Sequence, residues 1–380
     1  MKFFDDFLSQ ENKKGHRVCG DYVLCERTAT GMLYVVCDGV GSGIYANISA
    51  ITTASRILEL FRCGMSLQQI SETVASSMHR ARKENIPFAA FSVVVLYNDG
   101  QFTTYSYESP NPIIIQKNRA MVMEPRFYTT GFEVLGESNG MLDFGDSLLL
   151  FSDGISQAGL GHGYGLGIGS EGVVDFINQN YRPSNHKSNL GKLVMSMCKM
   201  ISADNYEDDT TLALLHCREA NQLSLLSGPP SKQNLDKPYV ETFMNMPGKK
   251  VVCGSTTTDI VARELCREVV TLSVGNSFGE PPEYFMQGID LVCEGAITLN
   301  QVYNIIDEPS ERLSEDSVVE RLCLLLKKAD VINIMIGNAI NNAHEDLIFK
   351  QIGVHVRRAT LEQMINKLKK MGKLVIERYY

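Results

Sequence analysis

Two apolar runs that each lead to an aspartate constrain this chain most. Leu33-Tyr34-Val35-Val36-Cys37 stops on Asp38, and Leu148-Leu149-Leu150-Phe151 leads through Ser152 to Asp153. Short apolar runs bounded by turn residues suit buried strands, and strand ends hold side chains at fixed separations. Two more aspartates lie in comparable settings, Gly20-Asp21 and Asp208-Asp209-Thr210-Thr211. Four carboxylates gathered together cannot all stay ionised without cations, because like charges raise one another's pKa. Hard divalent ions with oxygen ligands, Mg²⁺ or Mn²⁺, are the natural occupants. The pattern points to an enzyme.

The rest of the chain narrows the class. Its 380 residues suffice for two domains. A net charge of −8 argues against nucleic acid or an anionic membrane as a partner. No apolar run reaches the roughly 20 residues that span a bilayer. The opening Met1-Lys2-Phe3-Phe4-Asp5-Asp6 is acidic where a secretory signal is apolar, so a cytoplasmic location is expected. Ten cysteines are scattered with no C-x-x-C pair, which reads as reduced, buried small side chains.

Organisation changes near the middle. Ser227-Gly228-Pro229-Pro230 breaks the pattern, so 1–217 reads as one domain, 218–238 as a linker and 239–380 as a second domain. In the first, two helices are expected after Asp38, with Ile44, Ile48, Ile51, Ala54 and Ile57 on the core face of the earlier one. Ser66 and Gln69 give the later one a capping-box spacing. Asp99-Gly100 signals a hairpin. Helices set apart from hairpin-linked strands predict an α+β fold with helices covering antiparallel sheets, whereas strand–helix alternation after 239 predicts a smaller α/β domain.

Each aspartate motif is weak alone, since Asp-Gly is most often a turn. Nor is the glycine run at 39–43 a P-loop, because the lysine is missing. Four motifs in order on strand ends carry more weight. Asp38 can bridge two cations, the Gly39 carbonyl and Asp21 can serve one, and Asp153 with Asp208 the other. Two such ions can lower the pKa of a shared water and aim it at phosphorus.

On Gly20-Asp21, Asp38-Gly39-x-Gly41-x-Gly43 with Ala46, Gly145-Asp146, Ser152-Asp153-Gly154 and Asp208-Asp209-x-Thr211, residues 12–217 resemble a SpoIIE-type serine/threonine phosphatase. These are the bacterial branch of the metal-dependent, PPM-type protein phosphatases. The resemblance implies an α/β–β/α sandwich and two Mn²⁺ or Mg²⁺ ions. It also implies hydrolysis of phosphoserine or phosphothreonine in a phosphoprotein substrate, in bacterial signalling, with Asp21, Asp38, Asp153 and Asp208 as the catalytic metal ligands. The two helices after Asp38 resemble the family's switch element. Where eukaryotic relatives carry a histidine after Asp-Gly, this chain has Val40, Gly41 and Ser42. Arg17 is the one arginine close before Gly20-Asp21, a candidate phosphate ligand or a surface residue.

In the second domain, Gly254-Ser255-Thr256-Thr257-Thr258 between a strand and a helix offers N–H groups and hydroxyls to a small-molecule ligand, or is an ordinary capped turn. A polar cluster from Asn338 to Asp346 follows another strand. Two function classes stand: a phosphatase regulated through its second domain, with a homodimer an allowed state, or a non-catalytic module keeping the phosphatase fold. The intact aspartate set favours the first.

Overall fold

The computed structural model describes residues 1–182, 188–275, 280–339 and 357–380. They divide into two units, Met1–Glu219 and Ala220–Tyr380.

In the first unit the chain runs through β1 (Lys2–Glu11), β2 (Asp21–Arg27), β3 (Gly31–Gly39), α1 (Ile44–Arg62) and α2 (Leu67–Lys83). A strand-rich stretch follows: β4 (Ala89–Tyr97), β5 (Gln101–Tyr107), β6 (Ile113–Gln116), β7 (Arg119–Val122), β8 (Arg126–Thr130) and β9 (Glu133–Met141). Then come β10 (Ser147–Phe151), α3 (Asp153–Ser156), α4 (Gly169–Asn180), α5 (Ser188–Ile201) and β11 (Thr210–Glu219). Two antiparallel sheets result, ordered β2-β3-β4-β5-β9-β8 and β1-β11-β10-β6-β7.

Period-two burial glues these sheets face to face. Met32, Tyr34 and Val36 of β3 meet Leu148 and Leu150 of β10 and Ala213 and Leu215 of β11 in one core. Residues of opposite parity face outward: Leu33, Val35 and Cys37 pack under α1 and α2, and Leu149, Phe151, Leu212 and Leu214 under α4 and α5. The product is the expected helix–sheet–sheet–helix sandwich.

One expectation about α1 is overturned in part: Ala54 and Ile57 are buried as expected, but the three isoleucines before them are not. Ile44, Ile48 and Ile51 are exposed, and the stripe on the sheet is Ala46, Ser49, Ala50, Thr53, Ala54 and Ile57. Small side chains let the helix lie close to β3: a Cβ on Gly39 would stand 2.0 Å from the Ala46 carbonyl oxygen. The capping box of α2 is present, with Ser66 and Gln69 satisfying each other's backbone N–H. Gly100 closes the β4–β5 hairpin at φ +99°.

The second unit comprises β12 (Gln222–Ser227), α6 (Asp236–Asn245), β13 (Lys249–Cys253), α7 (Ser255–Leu265), β14 (Val270–Ser273), β15 (Glu283–Phe285) and β16 (Leu291–Cys293). It continues with α8 (Ala296–Ile305), α9 (Val318–Lys328), β17 (Val331–Ile336), α10 (Arg357–Lys370) and β18 (Leu374–Tyr379). The seven-stranded sheet is ordered β14-β15-β16-β13-β12-β17-β18. Pairing is parallel from β16 to β18. α6 and α7 cover one face, and α8, α9 and α10 the other, a doubly wound α/β arrangement.

The segment 218–238 is therefore no linker. It holds β12, a central strand whose Leu223, Leu225 and Leu226 are buried, and only Ala220 and Asn221 separate it from β11. The glycine–proline signal is real but belongs to the loop after β12. Asn338 is exposed just past β17, and the rest of the polar cluster, 341–346, lies outside the described residues.

Candidate active site

Strand register brings the four aspartates to one end of the sandwich, two from each sheet. Asp21 opens β2 and Asp38 lies near the end of β3, and the two are direct partners in the antiparallel ladder, which puts their Cβ atoms about 5 Å apart. In the other sheet β10 pairs with β11 from Ser147↔His216 to Phe151↔Leu212. The pairing continues where Ser152 N donates to Thr211 O at 3.0 Å. Asp153 and the Asp208-Asp209 pair thus leave neighbouring strands at the same edge.

Small residues and a buried carboxylate hold this edge together. Asp209, 4% exposed, accepts from Gly20 N at 2.8 Å and Lys13 N at 2.9 Å, so it ties down the loop that delivers Asp21. Cβ atoms on Gly20 and Gly154 would stand 2.8 Å from Asp209 Oδ2 and 2.2 Å from the Asp209 carbonyl oxygen. Both glycines are thus required by close approach. Ser152 Oγ accepts from Thr211 N at 3.0 Å, and Gln157 Nε2 donates to Asp153 Oδ2 at 2.7 Å.

The electrostatics are those of a carboxylate cluster short of positive charge. Burial pushes Asp38 far above the carboxylate range, and the charges of Asp21 and Asp153 push it further. Asp38 and Asp153 lie close enough for Asp38 to hold a proton against Asp153. Asp21 is raised chiefly by burial; the nearby Thr211 and Ser152 hydroxyls oppose the shift, and Asp209 and Asp153 add to it. Burial also raises Asp153.

Asp21 is 2% exposed and neither of its carboxylate oxygens has a hydrogen-bond partner. The two hydroxyls beside it accept bonds of their own, Thr211 Oγ1 from Gln10 Nε2 at 3.0 Å and Ser152 Oγ from Thr211 N, and as placed neither closes a hydrogen bond to Asp21. A buried carboxylate with two orphaned oxygens is costly unless something positive meets it. The donor set fits a hard divalent cation on chemistry and on this orphaned pair. As placed, no three His, Cys, Asp or Glu side chains among the described residues already form a metal-holding group.

Two features escaped the sequence reading. Lys13 places Nζ 3.6 Å from Asp208 Oδ1, a contact across nearly the whole first unit. No local signal marks it. Glycines at 159, 161, 163, 165 and 167 alternate in the loop between α3 and α4, and Gly169 opens α4. Beside that loop opens a cavity of about 160 Å³ lined by Gly154, Gln157, Leu160, Ser202, Glu207 and Asp208. The glycine alternation was visible, but its position against Asp208 was not. Arg17 is exposed and makes no ion pair with another described residue. In the second unit Ser255 and Thr256 are exposed and Thr257 is buried.

Comparison with known proteins decides the family. The model for stage II sporulation protein E (SpoIIE) matches residues 28–218, half of the chain and all within the first unit. This chain belongs to the SpoIIE family. The family is of the PPM phosphatase type, which depends on Mg²⁺ or Mn²⁺. Among solved structures, the PP2C phosphatase domain of SpoIIE from Bacillus subtilis with a fragment of its regulatory domain aligns at 17% identity and TM-score 0.50. That alignment covers 57% of this chain and 64% of the other, just under two thirds. The SiaA PP2C domain of Pseudomonas aeruginosa aligns at 16% identity and TM-score 0.46, covering 56% of this chain and 84% of that one. No curated protein matches the chain. No helix among the described residues is long and apolar enough to cross a membrane.

Proposed function

We propose that this SpoIIE-family protein hydrolyses phosphoserine or phosphothreonine in a protein substrate, with two Mg²⁺ or Mn²⁺ ions held by Asp21, Asp38, the Gly39 carbonyl, Asp153 and Asp208. The observation that carries it is the meeting of two aspartates from each sheet at one edge, with Asp21 buried and both its oxygens unpartnered. Bound cations would supply charge neutralisation and a water acidic enough to attack phosphorus. The chain's own residues do the positioning. Asp38 sits between Asp21 on its own sheet and Asp153 on the other, the right place to bridge. Asp209 and Ser152 do not face the reaction, and they fix the backbones that present Asp21 and Asp153. Lys13, held near Asp208, offers a positive charge to an incoming phosphoryl group; Arg17, the other candidate, is exposed and makes no ion pair among the described residues. No histidine follows Asp38 in the sequence, so leaving-group protonation would fall to water or another group.

The second unit, in this reading, senses a ligand or partner and regulates the first. The rival is a non-catalytic module that keeps the fold for binding alone. It predicts loss of at least one metal-binding aspartate, and none is lost. Initial rates on p-nitrophenyl phosphate with Mn²⁺, then on phosphoserine, phosphothreonine and phosphotyrosine peptides, separate the two. Turnover of the first two peptides over the third supports the proposal. A folded protein that binds Mn²⁺ but hydrolyses nothing supports the rival.

A further inference from the structure

The carboxyl edge of the second unit's sheet is built unlike a plain set of turns. Glycine directly follows three of its parallel strands: Gly228 after β12, Gly254 after β13 and Gly337 after β17. Gly228 and Gly254 have φ of +85° and +118°, conformations that a side chain resists. In a doubly wound sheet, ligands bind beyond the strand carboxyl ends at the point where the strand order reverses. Here that point lies between β12, which continues through α6 to β13, and β17, which continues through α10 to β18.

A cation stands at that point. Arg357, the first residue of α10, reaches over Gly228 so closely that a Cβ there would stand 1.4 Å from Nη1. Its Nη2 donates to Gly337 O at 2.8 Å. A guanidinium carries five N–H donors, and among the described residues this one has no carboxylate partner. It is half-buried, and that burial lowers its pKa. The same Gly228 donates its N–H to Thr257 Oγ1 at 2.9 Å, and its carbonyl accepts from Tyr239 Oη at 2.8 Å. One clamped glycine therefore joins Arg357 to the N-terminus of α7.

That N-terminus carries no side-chain cap and no acidic residue in its first turn, whereas its neighbour α8 is filled by Glu294, which accepts from Ile297 N at 3.0 Å. On the Arg357 side of the sheet lies Ser227. It is fully buried and its Oγ has no partner. Strand alternation turns it to the face of Leu223 and Leu225, the face that α10 covers and from which Arg357 reaches in.

We propose that this edge binds a phosphate-bearing small molecule, held by the Arg357 guanidinium, the first-turn N–H groups of α7 and the exposed hydroxyls of Ser255 and Thr256. Glycines let the phosphate approach the backbone, the helix terminus favours negative charge, and Arg357 supplies the charge-assisted bonds. The site is separate from the aspartate cluster and does not depend on the chain being a phosphatase.

Calorimetric titration of the full chain with inorganic phosphate and with ADP tests it. Excess EDTA keeps divalent ions from carrying either anion to the aspartates. Saturable binding is expected, weakened about tenfold or more by Arg357→Gln, and unchanged by Asp38→Asn. Tighter binding of ADP than of phosphate assigns a nucleotide, and equal binding assigns the bare phosphoryl group. Should Arg357→Gln fail to fold by circular dichroism, the surface double variant Ser255→Ala with Thr256→Val decides, with weakened binding again expected. The proposal is overturned if folded wild-type protein binds neither probe. It is equally overturned if binding survives undiminished in the folded variants.

Discussion

At the scale of single residues the account rests on Asp38, buried beside Asp21 and Asp153 with its carboxyl pushed far up by burial first and by those neighbours next. Without cations, folded protein retains protons on Asp38 and Asp21 that the unfolded chain releases near the ordinary carboxylate pKa of about 4. Unfolding then releases protons, so this contribution to stability falls as pH rises from about 4 toward the raised folded values. Thermal melts in EDTA should show wild-type protein losing stability between pH 5 and pH 8 relative to Asp38→Asn, with Mn²⁺ reversing the loss in wild type alone. Parallel pH profiles for the two proteins would contradict the clustering. In activity, Asp38→Asn should lower phosphatase turnover by more than about 100-fold, beyond what loss of a supporting contact costs. Wild-type rates would remove Asp38 from the chemistry.

At the scale of elements, the approach of α1 to β3 connects fold and site. Gly39→Ala should drive the helix off the strand, because its Cβ would stand 2.0 Å from the Ala46 carbonyl oxygen. Overpacking of this kind costs about 1–3 kcal/mol, and denaturant melts should register it together with lost activity. An unchanged midpoint would mean α1 is held less tightly than described. The elements differ in how plainly the sequence declares them. β3 and β10 are unbroken apolar runs ending at aspartates, and they are legible because both faces of each strand are buried. β1 is not, because its Phe3-Phe4 and Asp5-Asp6 doublets break the alternation that marks a half-buried strand. β12 was hidden by the Gly228-Pro229-Pro230 signal immediately after it. For α1, Ala54 and Ile57 lie on the core face as the spacing suggested, but its first two turns bury small residues instead of Ile44, Ile48 and Ile51, since helix–sheet closeness rather than apolar bulk decides which side is buried there. The four aspartate motifs stood out in the sequence, and strand register brings them to one edge. Lys13 beside Asp208 did not, since their meeting depends on β1 and β11 pairing across 200 residues.

At the scale of the whole molecule, the SpoIIE match ends within the first unit, and the second unit has its own sheet and cores. The fragment 1–219 should therefore fold alone, melt cooperatively and hydrolyse p-nitrophenyl phosphate with Mn²⁺. A soluble, folded and inactive fragment, beside active full-length protein, would show that the second unit completes the site.

The central claim is that four aspartates from two sheets work by holding divalent cations. Its most direct test is Mn²⁺ titration of EDTA-stripped protein, following bound ions by calorimetry and p-nitrophenyl phosphate turnover in the same samples. The account predicts no turnover in EDTA, two ions bound per chain, and activity rising with their binding. Turnover that continues undiminished in excess EDTA would contradict it.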